Sequence, residues 1–510
     1  MSNKTKSFTN TVEFLNSELN LHTNLHFDFN EIVFEEEQFS LFCANLQKCV
    51  NLQIISLELE FDKIRAQHAK YLGAALNSCT KLNTLKINLH QNQIQDEGLT
   101  ILCSSLTTLK SISNFELIVQ FNLLNNQCGA AFFTLFSEIS QSLKTLNLDL
   151  SNNQIGDEGV SALGEAILNC QQLNNLQLNL NSNKIGKQGV VQLYSTLAKC
   201  ICLNILSIQL KKNQIGDIDF KDFSCQKNSF SKLSKLTLDV SDTNIGSNGV
   251  SDLCQSLISY ANLQNLSLTI DENAIGPDTS LIIGQSLGKC QHLQELFLSL
   301  HNNFVLQDYS NLIQGLTYSQ SLFNLHIFLG SNSIDAKGVL NIASALKGCQ
   351  NLSSLFIDFQ QNNIQNEGLS SLAHTLEVCQ NLQKINLSLC QNNIGDKGVS
   401  SLGLSLQKCL NLSILNLDFY ENNIGSEGVK QLGLSLASCK NLIKLELYLI
   451  SNEIKNDGAC FLISQLGNCS KLNNLQLDLI YNKIDDQTSN KLHQKVRKIK
   501  KLVILFYQDN

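Results

Sequence analysis

A single proline, Pro277, stands in 510 residues, and no Pro-rich or Gly/Ser-rich tract separates one stretch of the chain from another. No hinge between independent domains is expected. Charged residues make up only 16% and the formal net charge is -7, so no basic stripe offers a track for nucleic acid. No run of about 18 apolar residues is present to span a bilayer. The opening MSNKTKSFTN lacks the apolar segment of a secretory signal. These absences point to a soluble, cytoplasmic chain with neither nucleic acid binding nor membrane insertion. Catalytic signatures are missing too: there is no G-x-x-x-x-G-K-[ST] phosphate cradle, no H-E-x-x-H zinc pair and no G-x-S-x-G nucleophile elbow. No enzyme activity, cofactor or metal is expected.

What the chain does have is a repeat. Leu143, Leu146, Leu148, Leu150, Asn153, Ile155, Gly156, Gly159, Val160, Leu163 and Cys170 return thirty residues later as Leu173 through Cys200. Seventeen unit leaders run from His22 to Leu502, with spacings of thirty except thirty-one after Ile112 and twenty-nine after Leu293. A fixed period of this size marks a solenoid whose units stack one on the next. The reading is a single solenoid over residues 21–510, preceded by a loose or helical cap over residues 1–20.

Inside a unit, Leu146, Leu148 and Leu150 alternate with polar residues, the period of a strand with one buried face. Val160, Leu163 and Ile167 follow at helical spacing, with Gly156 and Gly159 flanking the helix start. Between them stands an asparagine, present in thirteen of fifteen units from Asn92 to Asn482, the exceptions being Asp62 and Thr243. Its expected role is to satisfy backbone groups of the turn that leaves each strand.

Ten of the eighteen cysteines share one slot, three residues before a leader, from Cys49 to Cys469. A repeated slot points to reduced, packed thiols rather than to bridges. Asn265 and Asn386 head N-x-S sequons on predicted strands, where a glycan would meet neighbouring turns, again favouring the cytoplasm. Asp217, Asp219 and Asp222 lack the glycine and glutamate that a calcium-binding EF-hand loop requires.

The pattern Leu-x-x-Leu-x-Leu, followed by an asparagine ladder, Ile-Gly-x-x-Gly and a helix, resembles leucine-rich repeats, most closely those of the ribonuclease-inhibitor-like class. The asparagine lies ten residues after the leader instead of the eight of that class, which adds about two residues at 3.3 Å each to a strand. The resemblance implies an α/β, right-handed horseshoe solenoid with a parallel sheet on the concave side and helices on the convex side. It also implies a non-enzymatic scaffold that binds a protein partner on the concave face. Two alternatives stay open: a GTPase-activating protein of the Ran type, and a permanent structural subunit of a large assembly.

Phe297, Phe328 and Phe356 fall at outward strand positions on three consecutive units, alternating with inward Leu298, Leu329 and Ile357. They are expected to form one exposed cluster, with His301 and His326 at its edge, suited to anchoring a protein partner. The alternative is mutual packing on the sheet surface with no partner. Tyr420 and Tyr448 form a second group with Ile450 and Ile480. Outward acidic residues outnumber basic ones, so a partner with a basic surface is expected. A basic helix at about residues 487–501, carrying Lys495, Arg497 and Lys498, reads first as a cap and second as a docking patch.

Overall fold

In a computed structural model the chain is described over residues 5–30, 32, 34–61, 63–217, 230–276, 278–303, 309–498 and 502–506, with side chains described up to residue 492. Pro277, Asp62, Asp219 and Asp222 lie outside the described residues. Two compact units emerge: Met1–Ile245 with Ser259–Leu263, and Gly246–Ile258 with Gln264–Asn510.

The first unit holds β1 (Lys6–Phe8), β2 (Asn24–Asp28), β3 (Ile54–Glu58), β4 (Thr84–Asn88), β5 (Asn114–Ile118), β6 (Thr145–Asp149), β7 (Asn175–Asn179), β8 (Ile205–Gln209) and β9 (Lys235–Asp239). Each pairs in parallel with the next. The second unit holds β10 (Asn265–Thr269), β11 (Glu295–Ser299), β12 (Asn324–Phe328), β13 (Ser354–Asp358), β14 (Lys384–Ser388), β15 (Ile414–Asp418), β16 (Lys444–Tyr448), β17 (Asn474–Asp478) and β18 (Leu502–Phe506). The same parallel succession holds there. Helices such as Asp157–Leu168 and Asp396–Leu406 return the chain between strands, and each packs on the helices of adjacent turns within its unit. This is an α/β solenoid, with strand and helix alternating as the repeat dictates.

The five-residue strands β2 to β17 begin two residues after their leaders, and only β18 begins on its own, Leu502. Leu173, for example, donates its amide to the carbonyl of Cys170 at 3.0 Å and so closes the turn that follows a helix. Leu146, Leu148 and Leu150 are all fully buried, as are Val160, Leu163 and Ile167 on the facing helix. Residues 1–20 contain β1 and a short helix, Thr11–Leu15, whose N-cap Asn10 accepts from the Glu13 amide at 2.9 Å. Phe14 is fully buried there, with ring centroids 5.4 Å from Phe8, 4.9 Å from Phe27 and 5.6 Å from Phe42.

The asparagine ladder ties unit to unit. Asn183 Nδ2 donates to the Leu150 carbonyl of the previous turn at 3.0 Å and to its own turn at Leu180 and Asn181. Its Oδ1 accepts from the Ile155 amide at 2.9 Å. Thr243, which breaks the ladder, keeps a local bond from Oγ1 to the Val240 carbonyl at 2.7 Å. The cysteine column is equally regular, and all seventeen described thiols are free. Cys439 Sγ lies 3.6 Å from the Leu406 carbonyl and 3.4 Å from that of Ser435. Phe230 and Tyr260 occupy the same slot in the first unit, where the Tyr260 hydroxyl meets that of Tyr194 at 2.7 Å.

Candidate protein-binding face

Alternation decides which side chains leave the sheet, and register decides which of them meet. In the second unit Phe297 on β11, His326 on β12 and Phe356 on β13 stand directly opposite one another. Phe328 does not share their row: its partners are Ser299 and Asp358, one outward position further along. Phe328 is thus offset from the row that Phe297 and Phe356 share. The offset is already written in the spacing, since Phe297 and Phe356 lie four residues after their leaders and Phe328 lies six. The rings nevertheless gather, because aromatic side chains reach diagonal neighbours. Phe328 sits 4.6 Å, centroid to centroid, from both Phe297 and Phe356. His326 stacks on Phe356 at 5.7 Å. All four are half-buried.

Burial, and next the charge of Lys384, hold the His326 pKa below its ordinary value, with Glu295 opposing. His301 follows β11, and its amide donates to Asp271 Oδ1 at 2.8 Å. Its ring lies over Gly330, where an added Cβ would come within 2.6 Å of His301 Nδ1 and 2.7 Å of Gln360 Cγ. The missing Cβ of Gly330 therefore leaves the space that the imidazole occupies. Sequence reading missed this glycine, although it stands where other units carry larger outward residues such as Gln360 and Tyr420.

Tyr448 stands on β16 opposite Asp418 and Asp478 and is half-buried. Tyr420 lies one outward position beyond β15, with its hydroxyl bonded to Glu421. Two strands, β14 and β15, separate Tyr448 from Phe356, so the two aromatic groups are distinct patches. The side chains of Lys495, Arg497 and Lys498 lie outside the described residues, on the helix Asp486–Lys498.

The acidic lean of the outward face has a structural component that composition does not reveal. Asp149, Asp239, Asp358, Asp418 and Asp478 occupy one column, and each accepts the amide two residues on, at 2.8 to 3.1 Å. Asn88 and Asn179 do the same in their units. Burial raises the Asp358 pKa, against the bonds it receives from Gln360 and Ser388. Among the described residues, no group of three or more His, Cys, Asp or Glu side chains could hold a metal ion, and no helix is long and apolar enough to cross a membrane.

A family model described as Leucine Rich repeat matches residues 140–164, 172–193, 232–254, 349–373 and 378–403. These windows fall in both units, on the strand, asparagine turn and helix described above. These stretches of the chain are leucine-rich repeats. A human relative, NACHT, LRR and PYD domains-containing protein 13, is 30% identical over 151 residues, which cover 28% of this chain and 13% of that protein. The chain thus matches only a small share of that relative's length. Among solved structures, a crystal structure of a TLR13–ssRNA13 complex aligns over 98% of this chain and 68% of that one, with a TM-score of 0.47 and 17% identity.

Proposed function

We propose that the chain is a protein-interaction scaffold whose outward sheet face in the second unit engages a protein partner, and that its repeats are of the ribonuclease-inhibitor-like class. The observation that carries this reading is the cluster itself: Phe328 in ring contact with both Phe297 and Phe356 on an open sheet, half-exposed and outside the leucine core. Clustered aromatics of this kind supply the anchors of protein interfaces. His326 stands within the anchor, between Phe297 and Phe356, His301 lies beside it, and Tyr420 and Tyr448 extend the contact area. The acidic column favours a partner with a basic surface, so binding weakens as salt rises.

The test is capture of partners by the full chain and by its F297A/F328A/F356A variant, with thermal melting as the control for folding. Phe328→Ala alone should weaken binding by about 2 kcal/mol if that ring is the hot spot. A folded triple variant that still captures every partner of the parent would move the site elsewhere, first to the basic helix that carries Lys495, Arg497 and Lys498.

A further inference from the structure

A third aromatic group lies in the first unit, and its backbone is unlike that of the phenylalanines already described. From Phe61 to Tyr481, the residue that opens the turn after each strand has a left-handed conformation. The column reads Gln91, Asn152, Ser182, Lys212, Asp242 and other polar residues in most repeats, but an aromatic ring in three: Phe61 (φ 62°) and Phe121 (φ 56°), two repeats apart in the first unit, and Tyr481 (φ 55°) in the second. Left-handed backbone crowds the Cβ of any L-residue, is best tolerated by Gly, Asn and Asp, and is unusual for a bulky side chain. Both rings are also solvent-facing, 39% and 47% exposed, and Leu123, left-handed at φ 60°, is 54% exposed. The folded chain gains little burial from any of these three residues.

They are nonetheless organised. His90 stands between the two rings, 5.2 Å from Phe61 and 5.8 Å from Phe121, edge to face with each. The His90 amide donates to Asn88 Oδ1 at 3.0 Å, and Asn88 Nδ2 donates to both Glu58 Oε2, at 2.9 Å, and Glu60 Oε1. Two carboxylates thus converge on one neutral amide next to an exposed aromatic row. Among the described residues neither has an ion-pair partner: Lys86 is engaged with Glu116 at 2.8 Å, and Lys63 and Arg65, further along the turn, pair with neither glutamate. Like charges brought together without a counter-ion favour a cation from outside. Aromatic faces beside them add cation–π attraction.

We infer that Phe61, Phe121 and Leu123, with Glu58 and Glu60, form a second docking surface in the first unit. Its occupant is a protein segment that presents an arginine or lysine next to an apolar side chain. The apolar group covers the exposed rings and Leu123, and the cation meets the paired carboxylates. This surface is independent of the one on the second unit and stands or falls separately.

The experiment uses the full chain carrying F297A/F328A/F356A, so that the other aromatic face is silent. Three fluorescein-labelled twelve-residue peptides are titrated by anisotropy: alternating arginine and leucine, alternating glutamate and leucine, and alternating arginine and serine. The arginine–leucine peptide binds saturably and the other two at least tenfold more weakly. F61N/F121N, which places a residue tolerant of left-handed backbone in both turns, weakens that binding tenfold or more without lowering the melting temperature. E58Q/E60Q weakens it and flattens its salt dependence. Absence of saturable binding, equal binding of all three peptides, or indifference to F61N/F121N overturns the inference. So does self-association in sedimentation velocity that F61N/F121N abolishes, since the occupant would then be a second copy of this chain.

Discussion

At the scale of single residues, the ladder asparagines and the outward asparagines share a chemistry and differ in their surroundings. Asn392 is fully buried, donates to the carbonyls of Phe359 and Cys390 at 2.8 Å each, and accepts from the Ile364 amide. Asn392→Ala strands these groups in the core and should destabilise by about 1–3 kcal/mol in chemical denaturation. Asn386, half-buried on the outward face of β14, should lose far less on the same change. Equal losses would mean that the inward and outward faces are misassigned. Asp358 makes the opposite case. Its raised pKa means that the folded chain holds its proton to higher pH than the unfolded chain does, so this residue's contribution falls as pH rises from the ordinary carboxylate value through the folded one. Asp358→Asn retains an acceptor for the Gln360 amide and removes a buried charge near Asp418. It should stabilise at neutral pH by roughly 0.2–1 kcal/mol, the scale of one cross-strand pair. The gain should vanish below the ordinary carboxylate pKa, and a gain that persists in acid would refute the electrostatic account.

At the scale of the element, the first strand and helix pack against β2 and the helix after it, and the contact is built of phenylalanine. Phe14 on the helix Thr11–Leu15 joins Phe8, Phe27 and Phe42, so the five-residue helix is held by packing rather than by its own hydrogen bonds. Phe14→Ala should cost about 3–5 kcal/mol of local stability. Amide exchange should rise first in β1 and β2 while β6 and β7 stay protected, because a solenoid unit feels mainly its neighbours. Uniform deprotection across the first unit would instead show that the cap and the interior unfold together. Much of this scale was legible beforehand: leucine alternation located every strand from β2 to β17 to within two residues, and the thirty-residue period located the asparagine bridges. β1 was not legible, because three residues, Lys6–Phe8, carry too little pattern to reveal a strand. The same limit hid Gly330 and the left-handed Phe61 and Phe121. A side-chain pattern reports burial, whereas close approach and backbone handedness emerge only when adjacent turns are set side by side.

At the scale of the whole molecule, one slot repeated many times governs the redox behaviour of the chain. A column of cysteines a repeat apart could in principle bridge turn to turn, yet the buried thiols point at backbone carbonyls, as Cys409 does toward Leu376 at 3.5 Å. Burial pushes the Cys409 and Cys439 thiols up to about 12, and Cys79 to about 11, so almost no thiolate is present at neutral pH to start exchange. Native protein treated with a thiol reagent at pH 7 should therefore label slowly everywhere except at the half-exposed Cys202 and Cys460; Cys390 is half-exposed too, but desolvation and next the charge of Asp418 push its thiol up to about 12, and Cys225 lies outside the described residues. Denatured but never reduced, the same protein should titrate close to all eighteen thiols. Reductant should accordingly leave its denaturation midpoint unchanged. A shortfall of several thiols, or a midpoint that drops on reduction, would replace a packed spine with a bridged one, and the cytoplasmic setting expected from the sequence would go with it.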